Sequence, residues 1–478
     1  MVPYPGFING SGANPNPFVV NERTVNLFPS MSQSEGAANR WGLLPTPGVE
    51  VYSPQAASLS SGGRALELWD SRCFAVIGSE FIELQSGGAR VVRGSVFADA
   101  EPCTVSFNGK GGGQLLVTSA GRAYLYDMTS HAWTTPILPG NAHGGAMLSG
   151  YFYVLDRATS SIYQSALLDG GTWNGTWTAR RLIAGDPWRR LIVNGKDLWL
   201  LGERTSEVWY DSGTYPFALA PYANPVSPHG IAAIWSAYSN GEVLLWLSQT
   251  REGAGEVVMA VGQSTKVVST FEVQAAIGKL TRIDDAIGWG YQDNKGHHFY
   301  VLSFPTGRVT WVLELSTMKW HERQTWIAET SEWQAWRPQY YASFNNRSLT
   351  LNRDGGEVFT LLHDGGLDVD SRPIRRIRRA PALVNQLRTM TFPMFTLHLY
   401  TGNGILAGQG SDPMVELLCS DDGGITFWSA GMASSGKIGQ HTTRVDWTRL
   451  GSSTNRVFEI QMSDPVPWMI ADAFLEAN

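Results

Sequence analysis

Lys196-Asp197-Leu198-Trp199-Leu200-Leu201-Gly202-Glu203-Arg204-Thr205-Ser206-Glu207-Val208-Trp209 contains one complete structural phrase. A run of large apolar residues meets a polar turn, and a second run follows. Leu198 to Leu201 do not alternate between polar and apolar, which is the pattern of a strand buried on both faces. Asn194-Gly195, just before, supplies the positive φ angles of a tight hairpin turn. Six more copies of the phrase occur at residues 73–84, 114–127, 151–164, 242–258, 297–314 and 348–361. Their spacing is close to the roughly 40–50 residues of one four-stranded propeller blade. Ser119-Ala120-Gly121, Asn240-Gly241 and Asp354-Gly355-Gly356 punctuate the same region as turns. The pattern predicts an all-β chain built around a β-propeller of six or seven blades. Residues 218–239 break the rhythm and are expected to hold a short helix or a long inter-blade connection.

The flanks differ in character. Residues 1–48 are rich in Pro, Gly and Asn and lack periodicity, which reads as an extended arm. Phe7, Phe18, Val19, Val25, Leu27 and Phe28 give it apolar anchors. It is expected to lie on the C-terminal domain or on a neighbouring subunit, with a flexible tail as the alternative. Residues 49–365 are assigned to the propeller. Residues 366–478 carry period-two alternation around 394–400 and 415–419, with further strands at 442–447 and 457–462. They predict a separate antiparallel β-sandwich, or platform, of about six strands.

With 478 residues, two or three domains are expected. Charged residues make up only 16%, against roughly 25% in typical soluble domains. The net charge of −6 lacks the basic footprint of a protein that grips nucleic acid. Cys73, Cys103 and Cys419 are widely spaced and odd in number, so they read as buried thiols of a reducing compartment. Residues 1–17 show no secretory leader, and no run of 18 apolar residues predicts a membrane span. The sequons at Asn9, Asn174 and Asn346 read as polar turns.

No motif nominates a catalytic, cofactor-binding or metal-binding residue, so the expectation is a non-enzyme without cofactors. Ser420-Asp421-Asp422-Gly423-Gly424-Ile425-Thr426-Phe427 fits the Asp box, a turn-folding device and not a reactive site. Asp284-Asp285 are neighbours and read as a turn or blade edge, because adjacent strand residues point to opposite faces. His297-His298 and His321-Glu322 lack metal-ligand spacing. Gly109 and Gly111-Gly112-Gly113 read as a hairpin loop, because no Walker or Rossmann pattern follows. The run Arg372, Arg375, Arg376, Arg378 and Arg379 is the one dense basic segment. It reads as an intersubunit seam or an exposed strand, with DNA phosphate contact as the other possibility. Ile374 and Ile377 within it suggest one packed and one solvated face.

Several stretches, taken in order, resemble one family. Asn21-Glu22-Arg23-Thr24-Val25-Asn26-Leu27-Phe28-Pro29 is similar to a conserved segment of the tail nozzle proteins of short-tailed bacteriophages, also called packaged-DNA stabilisation proteins. The segment from Leu201 to Trp209 is similar to another, as are Asp285-Ala286-Ile287-Gly288-Trp289 and the stretch from Gly296 to Pro305. Thr310-Trp311-Val312, Trp320-His321-Glu322-Arg323, the stretch from Ser420 to Trp428, and Arg444-Val445-Asp446-Trp447 continue the series. Glu314, where that family tends to Asp, and Phe427, inserted before Trp428, depart from it. The resemblance implies a structural virion protein that forms a homohexameric ring below the portal and its tail adaptor (head-to-tail connector). It implies that the ring retains packaged double-stranded DNA and passes it, without sequence-specific binding, during ejection. Tail fibres or tailspikes are further partners, and the location is the phage tail after synthesis in the host cytoplasm. The alternative is a sialidase-like or glycan-binding propeller acting on host surface sugars. That enzyme would need acids and arginines clustered at the propeller's central mouth, and a lectin would need one aromatic pocket per blade.

Overall fold

The computed structural model describes residues 1–477 apart from 15, 35–38, 56–60, 182–184 and 251–252. Seven four-stranded antiparallel blades are present among the described residues. Each of the seven sequence phrases forms the second and third strands of one blade. In blade four these are Asp197–Gly202 and Ser206–Asp211, paired in register with Leu200 opposite Glu207. Leu198 and Leu200 pack toward blade three, while Trp199 and Leu201 pack toward blade five. The strand is therefore apolar on both faces because each face covers a neighbouring blade.

The inner strands are Gly63–Trp69, Thr104–Phe107, Gly145–Leu148, Trp188–Asn194, Tyr238–Ser239, Ile287–Gln292 and Pro338–Phe344. Each touches the next, and the last touches the first, so the ring is closed. Gly48–Ser53 closes it by serving as the outermost strand of blade seven beside Val358–Leu362. The unassigned stretch 218–239 contains the fourth strand of blade four, Leu219–Ser227, followed by a single 3-10 turn at Ile234–Ser236.

The C-terminal unit is a β-sandwich with a continuous core. Val415, Leu417 and Cys419 alternate inward from one sheet, against Phe395, Leu397, Trp447 and Trp468. The arm contributes strands to both sheets. Val2–Pro3 pairs with Ile470–Glu476, and Leu27–Met31 pairs with Trp41–Pro45 in the same sheet. Asn21–Val25 lies antiparallel to Arg376–Arg379 and meets Lys319–Glu322 of blade six through Val25. Blade six, the arm and half of the sandwich thus form one 11-stranded sheet. Of the expected anchors, Phe7, Val25, Leu27 and Phe28 are buried. Phe18 and Val19 are instead exposed, because they ride the turn before Asn21–Val25.

Candidate functional site

Two places concentrate polar groups in an otherwise apolar protein: the propeller's axial channel and the joint between propeller and sandwich.

The channel encloses about 710 Å³ and takes its wall from all seven inner strands. Its wall has one carboxylate, Glu67, and one guanidinium, Arg190. Burial pushes the Glu67 carboxyl up to about 7. Burial, with Arg157 nearby, brings the Arg190 guanidinium down to about 10. Arg190 lies 4.4 Å from the centre of the Trp235 ring, and Arg157 lies over the same ring at 5.8 Å. Tyr340 stands in the wall at a β-bulge between Gln339 and Ala342.

The joint is built from the arginine run. Arg376 and Arg378 are fully buried, which corrects the expectation of a solvated face or an intersubunit seam. The seam is internal to one chain. The reason is visible in the partners of Arg378. Its guanidinium donates to the carbonyls of Gly6, Phe7 and Gly10, to Thr24 Oγ1, and to Glu22 at 2.7 Å. A fork with five donors thus satisfies a bend of the arm that has no strand partners of its own. Arg379 pairs with Glu459 at 2.7 Å, donates to Asn21 and covers Phe427 at 4.6 Å. Arg375 donates to Gln461 and stacks on Trp326 at 4.4 Å. Arg323, from the blade-six end, donates to Asn26, to the Pro47 carbonyl and to Asp368. Asp368 also accepts from Thr325 and from the Trp336 indole. Arg372, at the start of the run, is peripheral and pairs with exposed Glu329. The arginines at the centre of the run are thus engaged with the protein and not presented to a phosphate backbone.

The other sequence features take structural places. In the Asp box, Asp422 accepts from the Ser420 and Thr426 hydroxyls and from the amides of Thr426 and Ile425, and these bonds, Ser420's foremost, hold its carboxyl well below the usual range. Gly424, at φ +87°, carries the turn. The box caps the hairpin of Met414–Ser420 and Trp428–Ser434, and Asn21 of the arm donates to its Gly423 carbonyl. Asp284 and Asp285 lie in a turn, where Asp284 pairs with Arg282 and Asp285 accepts from the Thr306 amide. The triple glycine lies in a hairpin loop between Thr104–Phe107 and Gln114–Ser119. Glu207 is fully buried beside Arg181 at 3.0 Å and accepts from the Trp209 indole.

His297 bridges Glu314 and Ser30 at 3.2 Å each, and the Glu314 bond raises its pKa. His321 is buried against Phe28 and Phe299, and burial lowers it to about 3. All three cysteines are buried and unpaired, with burial raising Cys103 to about 11 and Cys73 and Cys419 to about 12. Among the described residues no three His, Cys, Asp or Glu side chains converge as a metal site, and no helix is long and apolar enough to cross a membrane.

Sequence reasoning missed the channel residues. Glu67, Arg190 and Tyr340 come from the inner strands of blades one, four and seven, Trp235 comes from the 3-10 turn between blades four and five, and the four share no motif. The signal of the first three is one polar side chain in an inner strand, which is meaningful only once the ring is closed.

A closed propeller locked to a sandwich through a shared sheet and buried arginines defines a rigid structural β-protein. Two family models match it in tandem: bacteriophage P22 Gp10, β-propeller, over residues 7–358, and bacteriophage P22 Gp10, β-sandwich, over residues 375–478. The chain belongs to this family, the tail nozzle or packaged-DNA stabilisation proteins of bacteriophages. No curated protein matches it in sequence. Among solved structures it is similar to virginiamycin B lyase from Staphylococcus aureus, at 10% identity and TM-score 0.43, over 66% of this chain and 99% of that one. It is also similar to YCF48 from Cyanidioschyzon merolae, at 12% identity and TM-score 0.40, over 66% and 99%. A third is the extracellular domain of BT4673 from B. thetaiotaomicron, at 9% identity and TM-score 0.43, over 84% and 47%.

Proposed function

We propose that this protein forms a homohexameric ring below the portal and its adaptor, where it retains packaged DNA and provides the conduit for ejection. The family match across both propeller and sandwich carries this reading. Residues 49–365 act as the propeller, 366–478 as the platform, and 1–48 as the arm that ties them. The ring binds the head-to-tail adaptor, with a fibre or tailspike as a further partner. No catalytic, cofactor-binding or metal-binding residue takes part.

The physics of the chain suits a conduit. Each Lys or Arg bound to phosphate releases counterions and adds affinity, so a basic lumen would hold DNA back. Here the net charge is −6, and the centre of the one dense arginine run is buried against the protein's own carbonyls and carboxylates. A sialidase-like site needs acids and arginines clustered at the propeller's central mouth. The channel wall has one carboxylate, Glu67, and one guanidinium, Arg190, which favours the structural role over the sialidase-like alternative.

Negative-stain imaging of the purified protein, alone and with its adaptor, tests the proposal. A sixfold annulus on the adaptor is expected. A monomer that ignores the adaptor and cleaves a glycan would overturn it.

A further inference from the structure

The propeller channel contains groups that the conduit role leaves unused. Among the described residues Arg190 makes no hydrogen bond or ion pair, and its buried Nε and one Nη have no acceptor there. It is nonetheless held in place, because its guanidinium stacks on Trp235 at 4.4 Å. A planar fork fixed by stacking, with free donors, is preorganised for a planar or tetrahedral oxyanion.

Tyr340 gives a second, independent sign. It sits at φ +59°, a conformation that bulky residues seldom adopt, at a β-bulge that re-aims the strand. Strain of this kind clusters at ligand sites. The bulge places Tyr340 in the channel wall, and its buried hydroxyl has no hydrogen-bond partner among the described residues. Its phenol senses the charges of both Arg190 and Glu67, so the three groups share one electrostatic neighbourhood. By contrast, nearby Arg64 is fully engaged, by Ser119, Asp99 and the carbonyls of Gly78, Phe97 and Glu101. Trp289 and Tyr238 supply aromatic surface to the same wall, and the Trp289 indole N–H also has no partner among the described residues. At about 710 Å³ the channel falls within the roughly 300–1,000 Å³ of small-molecule sites.

We propose that the axial channel binds a small molecule carrying a carboxylate or phosphate on a flat body. Arg190 and Tyr340 hold the oxyanion, and the channel's aromatic rings cover the body.

The test is calorimetric titration of the purified full chain with three probes: inorganic phosphate, glucuronate and benzoate. Phosphate alone would assign a phosphate ligand. Glucuronate would assign an acidic sugar, and benzoate an aromatic acid. Arg190→Gln is expected to weaken the bound probe by about tenfold or more, as loss of a charged hydrogen-bond donor does. Tyr340→Phe, which keeps the ring and the packing, is expected to weaken it by about threefold to tenfold. Circular dichroism melts verify that both variants are folded, and Tyr340→Phe decides the matter if Arg190→Gln is not. No saturable binding of any probe up to about 10 mM, or equal affinity in a folded variant, overturns the proposal.

Discussion

The blades and the joint are held together in opposite ways. A blade is apolar and repetitive: Leu198, Leu200, Trp199 and Trp246 do in one place what equivalent residues do in the others. The joint is polar and unique, because Arg378 meets a set of arm carbonyls found nowhere else in the molecule. Apolar burial is non-directional, so many sequences satisfy a blade and the pattern repeats. A buried guanidinium tolerates only one arrangement, because any donor or acceptor left behind is uncompensated. The propeller thus gains its size cheaply, while the joint fixes one orientation of sandwich against propeller.

The comparison breaks most completely if the arm is removed. Deleting residues 1–31 keeps Gly48–Ser53 and so leaves blade seven closed, but it strips strands from both sandwich sheets. Limited proteolysis should leave the propeller resistant and degrade residues beyond about 366, as expected where strand edges lose their partners. Next in size is Arg378→Met, which leaves Glu22 and the carbonyls of Gly6, Phe7 and Gly10 without their donor. It should cost about 3–5 kcal/mol in denaturant unfolding. Leu200→Ala should cost about 2–5 kcal/mol by opening a cavity between blades three and four. Hydrogen exchange should place that loss in those two blades and leave the joint protected.

A pH series sharpens the contrast further. His321 has a folded pKa of about 3 against roughly 6.5 unfolded, so below pH 6.5 the unfolded chain binds a proton that the folded one refuses. Its contribution is neutral above pH 6.5 and destabilising by about 1.4 kcal/mol per unit as pH falls toward 3. His321→Leu should therefore gain stability relative to the parent at pH 4.5 and show no such gain at pH 8. The raised His297 runs the other way, with stability present below about 6.5 and lost as pH rises through its folded value. The smallest effect is expected for Arg372→Ala. This arginine belongs to the same run as Arg378 but pairs with exposed Glu329, and its loss should leave the unfolding midpoint unchanged.

The sequence disclosed what repeats. All seven phrases proved to be the central hairpins of blades, because those strands are covered on both sides and carry continuous apolar runs. The outer strands were harder to see. They are short or irregular, and that of blade seven comes from residues 48–53, some 300 positions from its partner. The arginine run was visible, but its burial was not. Nothing local to residues 372–379 announces that residues 6, 7, 10 and 22 supply acceptors. The channel was the least legible, because Arg190 and Tyr340 converge only when blades four and seven face each other across the ring.

The threading of the chain also sets an order of events at the ribosome. Val2–Pro3 and Asn21–Val25 leave the exit tunnel hundreds of residues before their partners at Ile470–Glu476 and Arg376–Arg379. Contacts so distant in sequence form slowly, and strands that wait for them are open to misassembly. The blades have time to fold while translation continues, whereas the sandwich waits for Ile470–Glu476. A nascent chain halted before residue 366 therefore holds the propeller strands without the platform strands they join.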